Sequence, residues 1–160
     1  MARLSRASAR ARELRVARAW VEFANRDRSR ARRLEAVLGP DPPDAVADCE
    51  AGERWSIEVT ELHRVTPSER ASRAEGIVVW SAAELAEALH RAVAHKSELR
   101  SKWPAALRRK FPRAGLLAVL DEHQRWEALP QIEQLGAFDS VALIAWSDDT
   151  PRVVSERQAE

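Results

Sequence analysis

Residues 43–62 read PDAVADCEAGERWSIEVTEL, and two halves of this stretch fit together as a β-hairpin. In the second half Ile57 and Val59 alternate with Glu58 and Thr60, the period of two expected of a strand with one apolar face. The first half, residues 44–49, is short and apolar, and Glu50-Ala51-Gly52 lies between the two. A three-residue hairpin loop commonly ends on a residue at positive φ, which suits Gly52. That loop pairs Cys49 with Glu53, Asp48 with Arg54, Val46 with Ser56 and Asp44 with Glu58. One face then carries Ala45, Ala47, Cys49, Trp55, Ile57 and Val59 and is core. The other brings Asp44 and Glu58 side by side, with Thr60 one step further along. Directly opposed side chains have Cβ atoms about 5 Å apart, and like charges there are destabilising. A divalent cation of the hard, oxygen-seeking kind, magnesium or manganese, would offset that repulsion. The bland alternatives are two solvated carboxylates or pairing with arginines of the first helix. A slip of one residue would put the two on opposite faces.

Upstream, residues 9–38 contain no proline or glycine before Gly39 and are rich in Ala, Arg, Leu and Glu. Leu14, Ala17, Val21 and Ala24, widened by Val16, Trp20 and Phe23, form a helical stripe. The expectation is a helix over 9–38, with a break available at residues 25–30. The GPDPP run at 39–43 forbids helix. Downstream, residues 53–62 form a strand, a polar loop containing Pro67 follows, and residues 76–80 (GIVVW) form a short strand. Ser81 and Glu84 make a capping box that starts a helix at 82, stopped near Trp103 by Pro104. Residues 116–120 (LLAVL) and 141–146 (VALIAW) are continuous apolar runs, expected of strands buried on both faces. Residues 130–136 are expected to form a short helix. The order helix-strand-strand-(strand)-helix-strand-strand implies an α/β domain with a mixed sheet flanked by helices. Its expected limits are residues 13–150, with a basic, disordered N-terminus at 1–12 and a C-terminal tail at 151–160.

The 160-residue chain is long enough for one domain that buries roughly two-thirds of its unfolded surface. Its net charge of +1 hides an asymmetry: residues 1–33 hold eleven Arg against three acidic residues, whereas residues 34–160 hold fifteen basic against twenty-two acidic ones. A basic arm beside an acidic body fits a phosphate-binding surface or a solvated helix. The Arg-, Ser- and Ala-rich start has a transit-peptide flavour but runs into the helical pattern with no break. Cys49 is the single cysteine, which excludes an internal disulfide, and no apolar run reaches the ~18 residues of a membrane span. A soluble, cytoplasmic protein without a membrane partner is expected. Nucleotide-binding glycine loops, the G-x-S-x-G elbow and the H-E-x-x-H zinc motif do not occur.

Pro43-Asp44 followed by Ile57-Glu58-Val59-Thr60-Glu61-Leu62 resembles the PD-(D/E)XK, restriction-endonuclease-like superfamily, in a variant whose second motif reads E-V-T. The resemblance implies a metal-dependent nuclease in which Asp44 and Glu58 hold Mg or Mn and phosphodiester bonds are hydrolysed. It also implies a further Glu from the first helix. Glu13 and Glu22 are the candidates, and nine residues put them on opposite helix faces. Where the family motif ends in Lys, this chain has Thr60. Lys96 is expected to stand in for it, because it is the one charge in the stripe Leu85, Leu89, Ala92, Lys96, Leu99, Trp103; Lys102 lies off that stripe. The catalytic set is therefore Asp44, Glu58, Lys96 and Glu13. The expected partner is nucleic acid, DNA in the first place, with a second copy or a protein partner supplying specificity. The competing readings are a degenerate nuclease fold that only binds nucleic acid or a protein, and a small partner whose basic helix mediates assembly. His63 is within reach of the site, His90 and His95 are too far round their helix to share one metal, and Asp48 is expected to pair with Arg54.

Overall fold

A computed structural model describes residues 5–26, 34–49, 52–63 and 77–160. The expected loop around Pro67, the continuation of the first helix through 27–33, and Glu50, Ala51 and Gly76 lie outside them. Helix α1 (Arg6–Asn25) begins inside the segment expected to be disordered, with the Ser5 hydroxyl accepting from the Ser8 amide at 3.1 Å. It buries Val16, Ala17, Trp20, Val21 and Ala24, while Phe23 stays 38% exposed. Asn25 ends the helix by a two-way clamp, its amide donating to the Leu34 carbonyl (3.0 Å) and accepting from the Leu34 amide (2.9 Å).

The helix expected up to residue 38 is corrected here. Glu35–Leu38 is a strand, β1, paired antiparallel with β2 (Ala45–Asp48). The GPDPPD turn that joins them is closed by the Gly39 amide on the Asp44 carbonyl (3.0 Å) and the Asp41 amide on the Pro43 carbonyl (3.0 Å). A Cβ at Gly39 would overlap the Pro43 carbonyl, so this turn needs glycine there.

Strand β3 (Arg54–Glu61) pairs with β2 in the expected register, Ala45 with Ile57 through Asp48 with Arg54, and Gly52 has φ +86°. From β3 the chain passes through β4 (Val78–Trp80), the boxed helix α2 (Ala82–Ser101) and a six-residue helix α3 (Ala105–Lys110). It then enters β5 (Arg113–Leu120), β6 (Gln124–Trp126), β7 (Ser140–Ser147) and β8 (Thr150–Gln158). The result is a mixed six-stranded sheet in the order β1-β2-β3-β5-β7-β8, in which β3, β5 and β7 are parallel and the outer pairs antiparallel. Strands β4 and β6 form a separate parallel pair. The fold is α/β, a mixed sheet flanked by helices.

Two other expectations are corrected. Residues 130–136 are not helical; Ile132 is buried, and the Arg157 guanidinium ties the Ile132 and Glu133 carbonyls (2.8 and 2.9 Å) to β8. The supposed tail is β8 itself, turned back onto β7 by Asp148 and Asp149, both at positive φ as a two-residue hairpin demands.

The sheet is apolar on both sides. Helix α1 covers Ala45, Ala47, Trp55, Ile57, Leu117, Val119, Ala142 and Ile144. The α2 side packs Leu85, Leu89 and Val93 with Leu116, Ala118, Leu120, Val141 and Leu143. The buried line of α2 therefore passes through Val93 and Arg100, and Leu99, expected in the stripe, is 39% exposed. Since α2 precedes β5, which is parallel to β3, the helix runs antiparallel to β3.

Candidate metal and phosphodiester site

The hairpin brings Asp44 to Glu58 for a backbone reason. The Cys49 amide bonds the Glu53 carbonyl at 3.1 Å, and hydrogen-bonded pairs alternate along an antiparallel ladder. Residues 47/55 and 45/57 are then hydrogen-bonded pairs, and 44/58 falls at the closer, non-bonded spacing, with Cα atoms about 4.5 Å apart. The next bonded pair would be 43/59. Pro43 has no amide hydrogen, and its carbonyl is already held by Asp41. The Val59 amide bonds the Asp44 carboxylate Oδ2 instead, at 2.9 Å. Asp44 thus ends the ladder and is fixed by the strand that carries Glu58.

Glu58 is 8% exposed. Burial, then a hydrogen bond to Asp44 and the Asp44 charge, push its carboxyl up to about 8. Without a cation, Glu58 therefore keeps its proton near neutral pH. The charge of Lys96 pulls Glu58 back down, and the Asp41 carboxylate in the turn pushes it up.

Glu13 reaches the same corner from α1. Its carboxyl is raised by burial first and by Asp44 next, opposed by Arg10 and Lys96. Glu22 is exposed on the far side of the helix, so of the two candidates Glu13 is the one near Asp44. Arg10, one turn earlier, anchors this end of α1. Its guanidinium bonds the Asp44 carbonyl (3.2 Å), the Gly39 carbonyl and the Glu13 carboxylate (3.4 Å).

From the other side of the sheet α2 delivers two cations. Arg100 Nη1 donates to Ser56 Oγ (2.9 Å) and Nη2 to the Phe111 carbonyl (3.3 Å), with the guanidinium 4.9 Å over the Trp103 ring. It is 9% exposed, and burial lowers its pKa against the opposing pull of Asp139 and Glu58. Four helical residues rise about 6 Å, and two strand residues about 6.6 Å. With α2 antiparallel to β3, Arg100 on Ser56 sets Lys96 at the level of Glu58. Lys96 is half-buried and forms no direct ion pair among the described residues. Its charge acts on both Glu58 and Glu13.

The structure thus brings Asp44, Glu58, Glu13 and Lys96 to one corner, where β3 runs past the end of β2. Arg10, Asp41 and Arg100 join them and were not singled out from sequence. Arg100 had a signal, four residues after Lys96 on the same helix; Asp41 and Arg10 had none beyond their neighbourhood. Among the described residues no three His, Cys, Asp or Glu side chains are close enough to cage a metal. The donor set that fits is the touching pair Asp44 and Glu58, hard oxygens of the kind that bind magnesium or manganese together with substrate phosphates.

Other candidates fall away from this corner. His63 is exposed, its Nε2 3.8 Å from Glu61, and His90 and His95 are exposed on α2. Asp48 and Arg54 are ladder partners without an ion pair, because the Arg54 guanidinium lies 5.3 Å over the Phe111 ring. Cys49 packs against the α1 core. The basic face of α1 is largely engaged: Arg6 with Asp41 (3.8 Å), Arg12 with Glu61 (3.5 Å), Arg15 with Asp149 (3.5 Å). Arg12 and Arg15 also stack on Trp146, at 4.6 and 4.9 Å. No helix among the described residues is long and apolar enough to cross a membrane. Comparison with known protein families, with curated proteins and with solved structures finds no match for this chain.

Proposed function

We propose that the chain is a metal-dependent nuclease of the PD-(D/E)XK kind, hydrolysing phosphodiester bonds with Asp44 and Glu58 as the metal-holding pair. One observation carries this reading: the hairpin register sets Asp44 and Glu58 side by side, with Glu58 buried against the half-buried Asp44, and burial and Asp44 hold the Glu58 carboxyl above its ordinary value. An arrangement that is unfavourable in the free protein becomes favourable once a divalent cation replaces the Glu58 proton. The sequence resemblance of residues 43–62 and a mixed sheet between helices support the same assignment.

Magnesium or manganese held there would polarise the phosphate and acidify the attacking water. The residues of the chain do the rest. Arg10 and the Val59 amide hold Asp44 in place, and Glu13 adds negative charge on the α1 side. Lys96, which forms no direct ion pair among the described residues, offers a cation to the charge that develops on the phosphate. It thereby takes the role that Thr60, in the motif position of lysine, has no charge to fill.

The test is cleavage of single- and double-stranded DNA with Mg or Mn, before and after Asp44→Ala and Glu58→Ala. Cation-dependent cleavage lost in both variants supports the reading; cleavage at the wild-type rate in the double variant sinks it. Thr60 favours a second reading, a degenerate nuclease fold that binds nucleic acid or a protein without cutting. Binding without cleavage under all cation conditions would decide for it.

A further inference from the structure

We infer that the cleft between α1 and the C-terminal ends of β3 and β5 is a subsite for one unpaired nucleobase of the substrate strand; this rests on the nuclease reading above. The cleft has a volume of about 240 Å³, floored by Ala9, Val16, Val59 and Val119, with Arg12, Glu13 and Glu61 at its edge. It lies on the α1 face of the sheet, opposite the face that carries Glu58, and adjoins the carboxylate corner through two residues. The Val59 amide is held by the Asp44 carboxylate, while the Val59 side chain lines the cleft. Glu13 lines the cleft and is the carboxylate on which Asp44 acts. Open α/β sheets bind ligands outside the carboxyl ends of their parallel strands, where this cleft lies.

Charge, size and hydrogen bonding identify the occupant. At the edge Arg12 is already paired with Glu61 (3.5 Å) and stacked 4.6 Å over Trp146, and Glu13 is paired with Arg10 (3.4 Å), so neither guanidinium is left over for an anion. A phosphate finds no free cation there among the described residues, and a neutral group with N–H donors can use the carboxylate oxygens. The volume is below the roughly 300 Å³ at which drug-sized pockets begin, so one flat ring system fits and a base pair does not. An apolar floor with acceptors at the rim suits the face and amino edge of a base. A base inside a duplex reaches such a cleft only by unstacking, at a cost of about a few kcal/mol that a single strand or frayed end avoids. The preferred substrate is therefore single-stranded or end-frayed, with an amino-bearing base beside the scissile phosphate.

Deoxycytidine and deoxyuridine share ring and sugar and differ in presenting an amine or a carbonyl at the 4-position. Each is titrated into the full chain without metal, with amide shifts followed by NMR. The expected result is saturable shifts at Ala9, Val16, Val59 and Val119 with deoxycytidine, and binding of deoxyuridine weaker on the order of tenfold. Ala9→Leu, which fills the cleft from a half-exposed helix position, removes the shifts, and Ala11→Leu on the exposed face keeps them. Glu61→Gln narrows the difference between the two nucleosides without touching Asp44 or Glu58. Absence of shifts at the cleft, or shifts of equal size in Ala9→Leu, overturns the subsite even if the protein cleaves DNA. Cleft binding in a protein that never cleaves overturns the nuclease reading and leaves the base subsite standing.

Discussion

Ser56 and Glu58 stand two residues apart on the same face of β3, 1% and 8% exposed, and α2 brings a cation to the level of each. At Ser56 the polar groups are satisfied internally. The hydroxyl accepts from Arg100 (2.9 Å) and lies 3.4 Å from the Arg113 carbonyl, while Arg100 also holds the Phe111 carbonyl and the Trp103 ring. At Glu58 the nearest partner is a second carboxylate, and the cation of α2 acts at a distance. A buried polar contact that closes on itself fixes architecture, here the position of α2 along β3. One that leaves like charges facing each other holds strain that an added cation relieves. The same helix face thus carries its tether, Arg100, and the cation nearest the carboxylate pair, Lys96, one turn apart.

Activity should separate the two positions most. Asp44→Asn and Glu58→Gln should each reduce Mg-dependent cleavage beyond detection. Lys96→Met, which keeps the stem and removes the charge, should reduce kcat on the order of 10²–10³-fold, as loss of one preorganised transition-state contact does. Ser56→Ala should leave kcat within a few-fold. Unchanged cleavage in Lys96→Met would leave Thr60 uncompensated and dissolve the contrast.

Stability should order them the other way. Arg100→Met removes the donor to the Phe111 carbonyl and the bond that the Ser56 hydroxyl accepts, leaving that hydroxyl only the Arg113 carbonyl at 3.4 Å, and should lower the free energy of unfolding by about 2–3 kcal/mol. Lys96→Met should change it by less than about 1 kcal/mol, since a half-exposed lysine with no ion pair among the described residues contributes little. Urea midpoints of the two variants measure this; similar losses would mean that Lys96 also tethers the helix.

Glu58 should show itself through pH. The folded protein holds its proton up to about pH 8, whereas the unfolded chain releases it near the ordinary carboxyl value of 4.5. Between these values the unfolded state binds fewer protons, so the stability of the metal-free protein falls as pH rises from about 4.5 to about 8 and levels off above. Glu58→Gln stays neutral, so its melting temperature should exceed the wild type's at pH 8 and match it near pH 4.5. Magnesium should stabilise the wild type more at pH 8 than at pH 6, because binding must displace the proton. A melting temperature insensitive to both changes would put Glu58 in water.

The parts of the fold that local chemistry dictates were legible. Gly52 and the alternation of 53–60 set the hairpin register and hence the meeting of Asp44 and Glu58, and Ser81 with Glu84 set the start of α2. What was hidden depends on tertiary choices. Residues 35–38 (EAVL) suit a helix as well as a strand, and only pairing with β2 makes them β1. Strand β8 carries Ser155, Glu156 and Arg157 along a sheet edge, which blurs its alternation, and its turn uses Asp148-Asp149 without a glycine. Arg100 was missed because the helix is rolled so that Val93 and Arg100 face the sheet and Leu99 turns outward, a rotation of one residue that the apolar pattern does not determine. Asp41 and Arg10 became visible only when the GPDPPD turn folded against α1.

The smallest effects are expected at the surface cations, which set the lower end of the contrast with Arg100. Arg12 and Arg15 are each ion-paired at 3.5 Å, with side chains 32% and 47% exposed, and both stack on Trp146. Exposed ion pairs contribute about 0.2–1 kcal/mol and vanish in salt; exposed cation–π contacts contribute about 0.5–1 kcal/mol. Arg15→Gln should therefore lower stability by less than about 2 kcal/mol, and 1 M salt should remove only the ion-pair share of that difference. The same engagement limits α1 as a phosphate track. Each phosphate neutralised adds about −0.9 to the slope of log affinity against log salt for duplex DNA. Arg15→Gln should shift that slope by less than one unit, because Asp149 and Trp146 already hold this guanidinium. A larger shift would mean that the helix gives up its internal partners on binding, and that its arginines track the nucleic acid directly. Unfolding curves at two salt concentrations and a binding isotherm series measure both quantities on the same variant.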